Sequence, residues 1–326
     1  MHKNNDCIQI QSHFDNFEAF SRVVQGWGLV FNQLDCGRFK ADLQQVATPE
    51  ILITDAHFNR RLKQGGNQPS GMRTFVIMAE SATPFIWRKQ QVAKNSLIVF
   101  PRGAELDATS LKGFHVYTLS LAEHLIEEKI HQDKNPVLAI KLKQGGVLRA
   151  KTSKLQSLRC FVMNVISEVR QRPEILPQPA FQKRLSDELS NHIFDILDIG
   201  EESSLTLPFR KRARIVQSVE EWLRETEPEN YSVNNLCRTF HLNERTLRRV
   251  FEEWYGVSPQ QYLIAVRLNG ARRELYAEHA AHTQIRDIAN RWGFWHMGKF
   301  AGYYRRQFLE LPSETLRRSI SLHLGL

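Results

Sequence analysis

"IANRWGFWHMGKFAGYYRRQF" runs from Ile288 to Phe308 and gathers two tryptophans, three phenylalanines, two tyrosines, three glycines and, counting His296, five basic residues. Bulk, charge and missing side chains in one run ask for an element with one buried face and one working face. The stretch belongs to a unit, "TQIRDIANRWGFWHMGKFAGYYRRQFL" (Thr283–Leu309), that has a counterpart upstream, "SVNNLCRTFHLNERTLRRVFEEWYG" (Ser232–Gly256). Val233, Leu236, Cys237 and Leu242 correspond to Ile285, Ile288, Ala289 and Phe294, 52 residues on. Leu247, Val250 and Phe251 correspond to Phe300, Tyr303 and Tyr304 at an offset of 53, so one residue is inserted just after the turn.

Each copy predicts the same local structure. Ser232 and Thr283 suit N-caps, because a hydroxyl accepts from the backbone N–H groups left open in a first helical turn. About two turns of helix follow, with an i, i+3, i+4 apolar face. "FHLN" and "RWGFW" then make a tight turn, where Gly293 fits a helix-ending position of positive φ. A second helix begins, apolar on one side and basic on the other. This is a helix-turn-helix unit, whose second helix enters a DNA major groove.

In the first copy Leu247, Val250 and Phe251 point inward and leave Asn243, Arg245, Thr246, Arg248 and Arg249 outside. Arg245 and Arg249 are i, i+4, and an arginine fork matches guanine O6 and N7. The bland alternative is a solvated basic face that touches phosphates only. In the second copy Ile288, Ala289, Phe294, Phe300 and Tyr304 fill a small core. Gly298 and Gly302 share a helix face. A bare backbone there either approaches a phosphate or base edge, or packs on a neighbouring helix. Lys299, Arg305 and Arg306 supply charge for phosphates, and His296, Met297 and Tyr303 complete the expected contact set. Between the copies, "SPQQYLIAVRLNGARRELYAEH" predicts a helix from Pro259, with Tyr262, Val266, Leu268, Ala271 and Leu275 as its seam. A helix of about 18 residues is roughly 27 Å long and holds two recognition helices near one DNA turn, roughly 34 Å, apart.

These residues resemble the AraC/XylS family of bacterial transcription regulators over residues 212–319. The likeness rests on "RRVFEEWYGVSPQQYLIAVRLNGARREL", "IRDIANRWGFWHMGKFAGYYRRQF" and "LPSETLR". The tail is most similar to the subgroup that contains the ethanolamine-utilisation regulator. The resemblance implies a seven-helix module with two helix-turn-helix units that binds double-stranded promoter DNA and works with RNA polymerase. It also implies a variable, often cupin-like N-terminal domain that senses a small-molecule effector or makes a homodimer. Base contacts carried over from the family fall on Arg245 and Arg249, flanked by Asn243, Thr246 and Arg248, and near Met297, Gly298 and Gly302, with His296 and Lys299 close by. The sequence departs from the family where a polar residue is common at Gly298, an Arg at Gly302 and a Gly at Leu309. The second unit is therefore expected to read phosphate or shape more than base edges.

The whole chain has 326 residues, 42% hydrophobic and 24% charged, enough for two globular domains. A net charge of +9 admits nucleic acid, an anionic membrane or an acidic ligand, so local placement of charge has to decide. The fold class expected is α+β. Residues 1–150 read as a β-rich, cupin-like sensor domain, a closed jelly-roll barrel, because short β-branched and aromatic runs alternate with turn signals between Cys36 and Ser120. Residues 151–200 read as a helical pair, 201–211 as a linker, with the domain boundary in "DIGEESSLTLP" (Asp198–Pro208), and 212–326 as the DNA-binding domain. Leu155, Leu158, Val162, Val165 and Val169 form one apolar stripe, followed by Phe181, Leu185, Leu189, Ile193 and Ile196. Such stripes either pack on the sheet or make a dimer seam, the first of them here being the candidate seam.

Phe75, Phe85, Trp87, His115 and Tyr117 either line a ligand pocket at a barrel mouth or form its packed core. His57 and His115 are far apart and lack an HxH pair, with His124 beyond the strands, so no metal site and no cofactor are expected. Nucleotide and hydrolase motifs are absent, which leaves an enzyme as the weakest reading, a cupin-type metalloenzyme its one form. Cys7, Cys36, Cys160 and Cys237 are scattered, with no CxxC. With no apolar leader and no 18-residue apolar run, a cytoplasmic protein without membrane contact is expected. Two readings stay open: an effector-controlled activator, and a ligand-independent regulator whose N-terminal domain binds a protein partner.

Overall fold

Short strands, several of them buried on both faces, fill most of the first half of the chain, seen in a computed structural model that describes residues 7–133, 136–199, 201–202, 207–277 and 284–324. The order begins β1 (Ile8–Phe14), α1 (Phe17–Val23), β2 (Gly28–Gln33), β3 (Ala41–Ala47), β4 (Ile51–Phe58), β5 (Leu62–Asn67) and β6 (Met72–Met78). It continues β7 (Phe85–Trp87), β8 (Gln90–Val92), β9 (Ser96–Val99), β10 (Glu105–Ser110) and β11 (Phe114–Ala122). Then come α2 (Glu123–Asp133), α3 (Pro136–Gln144), β12 (Gly146–Arg149), α4 (Thr152–Gln171), α5 (Pro179–Ile199) and β13 (Glu201–Glu202). The strands make two sheets, β1-β3-β4-β11-β6-β9-β12-β13 and β2-β5-β10-β7-β8, paired antiparallel. Their inner faces share one core that includes Phe31, Phe58, Val76 and Phe100.

The expected closed cupin barrel is not formed: among the described residues both sheets keep open ends. One end of each sheet is blunted by brevity, since β8 has three residues and β13 two, which leaves few unpaired backbone groups there.

The stripe Leu155, Leu158, Val162, Val165 and Val169 is buried within the chain, as are Phe181, Leu185, Leu189, Ile193 and Ile196. α4 packs on α5 and on β3. Buried Arg159 anchors α4, donating to Met78 O and Lys94 O at 2.8 Å each. The stripe thus covers the larger sheet and has no free face for a second copy, so the expected dimer seam is corrected. The expected linker is also shorter than 201–211: Glu202 pairs with Leu148 of β12, and the next helix starts at Leu207.

The remaining elements are helices: α6 (Leu207–Glu225), α7 (Val233–Phe240), α8 (Glu244–Tyr255), α9 (Pro259–Tyr276), α10 (Ile285–Arg291), α11 (Met297–Phe308) and α12 (Pro312–Leu324). Leu236, Leu247, Val250 and Phe251 join Val216 and Val219 of α6 in one core, which Leu34 enters from the sandwich. Ile288, Ala289, Phe294, Phe300 and Tyr304 belong to the sandwich's own core.

Polar side chains pair across the contact between the halves. Gln33 N donates to Asn269 Oδ1 (2.9 Å) and Gln33 O accepts from Asn269 Nδ2 (2.8 Å). Gln33 Nε2 donates to Gln307 O (2.8 Å), while Gln307 Nε2 donates to Gln33 O (2.7 Å). Arg61 donates to Gly256 O. Arg272 is almost wholly buried and holds Glu18 of α1 (2.6 Å) and Glu310 (2.5 Å), with the Phe308 ring centre 4.5 Å from its guanidinium.

Truncating one partner of a buried ion pair leaves the rest uncompensated. Arg272→Ala is therefore expected to cost about 3–5 kcal/mol in urea unfolding. Burial opposes the charge on Glu310, but Arg272, the Thr315 hydroxyl and Arg318 outweigh it and hold the carboxyl below its ordinary value. A value lowered by folding contributes stability that is full above the unfolded value and is lost as pH falls through the folded one. Below about pH 4.5 the Tm of the unaltered protein should fall more steeply than that of Glu310→Gln.

Candidate nucleic-acid interface

The two units are built by matching bonds. Ser232 Oγ accepts from Asn235 N (3.1 Å) and starts α7. The turn after it closes with Leu242 N donating to Cys237 O at 3.0 Å. In the second unit Phe294 N donates to Ala289 O at 2.9 Å, the same bond 52 residues on. Both turns pass through a left-handed residue at the equivalent position, His241 at φ 50° in the first and Gly293 at φ 71° in the second. Thr283, the expected second N-cap, lies outside the described residues; α10 follows Gln284, whose side chain makes no cap bond.

α8 is started by Asn243, whose Oδ1 accepts from Thr246 N at 2.8 Å. α8 ends at Gly256 (φ 66°), where Gly256 N donates to Glu252 O at 3.1 Å. α11 ends at Leu309 (φ 56°), where Leu309 N donates to Arg305 O at 2.9 Å, an offset of 53. The inserted residue is thus absorbed between turn and helix, and the two second helices match end to end.

The outer faces differ. On α8 Arg245, Arg248 and Arg249 are exposed and Thr246 is half-buried. Arg248 is engaged by Glu252 (2.8 Å, one turn on), whose hydrogen bond holds the guanidinium above its ordinary value. Arg245 and Arg249 have no ion-pair partner among the described residues. On α11 nothing lies within 4 Å of where a Cβ would stand at Gly298 or Gly302. Packing against a neighbouring helix is therefore not why these glycines are there; they make a smooth, open strip. Lys299, Arg305, Arg306 and His296 are exposed around it, Met297 leans half-buried on the core, and Tyr303 is 36% exposed.

Trp295 was not among the residues expected to reach DNA, yet it is 64% exposed, beside His296 at the start of α11. Its signal in the sequence was an aromatic one step out of register with the core position Phe294.

Residues 236–318 match the family described as "Helix-turn-helix domain". This segment is a helix-turn-helix domain. Its homologues are regulators of the AraC/XylS type. One is the XylDLEGF operon transcriptional activator 1 of Pseudomonas putida, 36% identical over 105 residues, which are 32% of this chain and 30% of that protein. Another is the probable thc operon regulatory protein of Rhodococcus erythropolis, 33% identical over 103 residues, 32% of this chain and 31% of that one. The chain thus spans about a third of the length of these curated relatives. Among solved structures, the AraC-like transcriptional activator CuxR aligns at 12% identity and a TM-score of 0.41, covering 82% of this chain and 96% of that one.

Within the helix-turn-helix domain, α9 sets the spacing. It has 18 residues and opens on a capping box between Ser258 and Gln261. Trp292 locks the second unit onto it: a Cβ at Gly270 would stand 2.2 Å from the indole ring, and Trp292 Nε1 donates to Glu274 Oε1 at 2.7 Å.

The residues expected to line an N-terminal pocket are split by strand alternation. Phe85 and Trp87 border an interior cavity of about 70 Å³. Phe75, His115 and Tyr117 do not; their strand neighbours Val76, Val116 and Thr118 do. His115 Nε2 instead meets Asp55 at 2.8 Å, and burial together with Asp55 pushes the Tyr117 hydroxyl up to about 12. The His57 ring lies tilted 5.2 Å from that of His115, and His124 meets Glu50 at 3.0 Å. Among the described residues no group of three or more His, Cys, Asp or Glu is placed to hold a metal, and no helix is long and apolar enough to cross a membrane. None of the four cysteines forms a disulfide.

A left-handed backbone at a branched residue is strained by roughly 1–2 kcal/mol, and Leu309 loses little burial on truncation because it is 55% exposed. Leu309→Gly should raise stability by about 1 kcal/mol, read as a higher urea midpoint at unchanged slope.

Proposed function

We propose that this protein is a sequence-specific DNA-binding transcription regulator, an activator that recognises promoter DNA as a homodimer, contacts RNA polymerase and answers to a small-molecule effector. The observation that carries the reading is the pair of matched second helices, each presenting an open outer face. α8 offers two unpaired arginine forks for guanine edges. α11 offers bare backbone ringed by cations, suited to phosphates and close groove contact. Residues 212–326 act in this reading as the DNA-binding part, and 1–150 with the helices of 151–200 as the regulatory part, in the cytoplasm. The interior cavity of the sandwich supports effector control over a purely protein-binding role. The closer likeness of the tail to the ethanolamine-utilisation regulator subgroup belongs to the same proposal.

Duplexes selected from a random pool by the full-length protein supply the test. Affinity should fall steeply with salt, as phosphate neutralisation requires. Arg245→Ala or Arg249→Ala should cost about 1–3 kcal/mol on the selected site and relax preference at one base step. Arg305→Ala should weaken selected and scrambled duplexes alike. Equal loss on all duplexes for the first two variants removes their base-reading role, and no preference for any selected duplex removes the proposal.

A further inference from the structure

The sheet β2-β5-β10-β7-β8 turns one face to the interior of the sandwich and the other to the helix-turn-helix domain. Its register places Phe31, Gln64, Ala108 and Trp87 in one row across four neighbouring strands. All four border the interior cavity. Gln64 Nε2 and Trp87 Nε1 are buried donors with no hydrogen-bond partner. They flank Ala108, so only a methyl group stands between them on that face. The residues around the cavity are otherwise aromatic or aliphatic apart from two threonines, and none carries a charge.

One residue along lies the row Asn32, Lys63, Thr109 and Ile86. The pleat sends it the other way. There Asn32 Oδ1 accepts from Arg273 Nη1 at 2.5 Å, Lys63 Nζ meets Glu220 of α6 at 2.6 Å, and Ile86 packs against the core of the first unit. Burial opposes the charge on Lys63, but Glu220 and Asp107 outweigh it and hold the ammonium above its ordinary value. Each partnerless donor is thus the chain neighbour of a residue that grips the DNA-binding domain: Gln64 of Lys63, Trp87 of Ile86.

Resting on the effector-controlled reading above, we infer that the cavity takes a compact, neutral, mostly apolar molecule with one carbonyl-type acceptor oxygen, held by Gln64 Nε2 and Trp87 Nε1, and that the DNA-binding domain senses its presence through Lys63 and Ile86. A carbonyl oxygen has two lone pairs, one for each donor. A carboxylate is disfavoured, because it would be buried without a cation.

The test uses full-length protein without DNA and three six-membered-ring probes: cyclohexanone, its near-isostere methylenecyclohexane, which lacks the acceptor, and the larger cyclohexanecarboxylate, which carries a charge. Titrations followed by NMR should show the ketone binding roughly tenfold more tightly than the alkene, the factor expected of buried hydrogen bonds, and the carboxylate more weakly than the ketone. In Gln64→Leu, Trp87→Phe and the double variant, far-UV circular dichroism checks the fold, and the preference for ketone over alkene should shrink to none. Equal binding of ketone and alkene by the unaltered protein, tightest binding of the carboxylate, or no binding of any probe overturns the inference without need of a variant.

A second arm adds a duplex selected from the random pool. Cyclohexanone should change its affinity for the unaltered protein, and Lys63→Met should keep ketone binding yet lose the change. Ketone binding with no effect on the duplex overturns the coupling. Failure to select any duplex counts against the proposed function and leaves the probe titrations to stand by themselves.

Discussion

A β-strand must send successive residues to opposite sides, and in this protein that constraint joins the sandwich interior to the helix-turn-helix domain. Leu62 and Gln64 face the sandwich interior while Arg61 and Lys63 reach the helical domain. No hinge or long lever intervenes between the two surfaces, only the pleat of β5 and β7. A shift of either strand large enough to seat a molecule inside is felt outside by an ion pair and an apolar contact, because a pleated backbone cannot move one face alone.

The same sheet steadies both recognition helices. The first unit is held through Lys63, Arg61 and Leu34, the second through Gln33 and, from α1, Glu18. The distance between α8 and α11 is therefore set twice, once by the rod α9 and once by the sandwich. Arg272 is where the two constraints meet, since it projects from α9 onto a carboxylate of each half. Desolvating a guanidinium is costly, and only two carboxylates together with the surrounding aromatic rings make the site favourable. This is why the domain contact is specific rather than a greasy patch that could slide.

Much of the DNA-facing half was legible in the chain. The 52- and 53-residue offsets reappear as equivalent hydrogen bonds at Leu242 and Phe294 and equivalent left-handed residues at Gly256 and Leu309. Helix periodicity and turn chemistry are local, so they survive without knowledge of the rest. Trp295 escaped because periodicity assigns an aromatic to the core by default, and only its exposure says otherwise. The candidate pocket residues divide for a similar reason: Phe85 and Trp87 border the cavity, Phe75, His115 and Tyr117 do not, and alternation alone names two faces without saying which is inside. The stripe on α4 looked free for a partner because a sequence shows that a face is apolar, never what covers it.

By itself, the sequence determined the local grammar: a twofold helix-turn-helix repeat, its turns, its inward residues, the Ser232 cap of the first unit, and a β-rich region ahead of them. Tertiary structure alone decided that the strands make two open-ended sheets, that α4 and α5 are spent on covering one of them, and that Gln33, Lys63 and Arg272 bind the halves together. The physical reason is range. Helix and turn preferences depend on residues a few positions apart, whereas the partners of Gln33 and Arg272 lie 236 to 274 residues away, as Asn269, Gln307 and Glu18 do, and only packing brings them into contact.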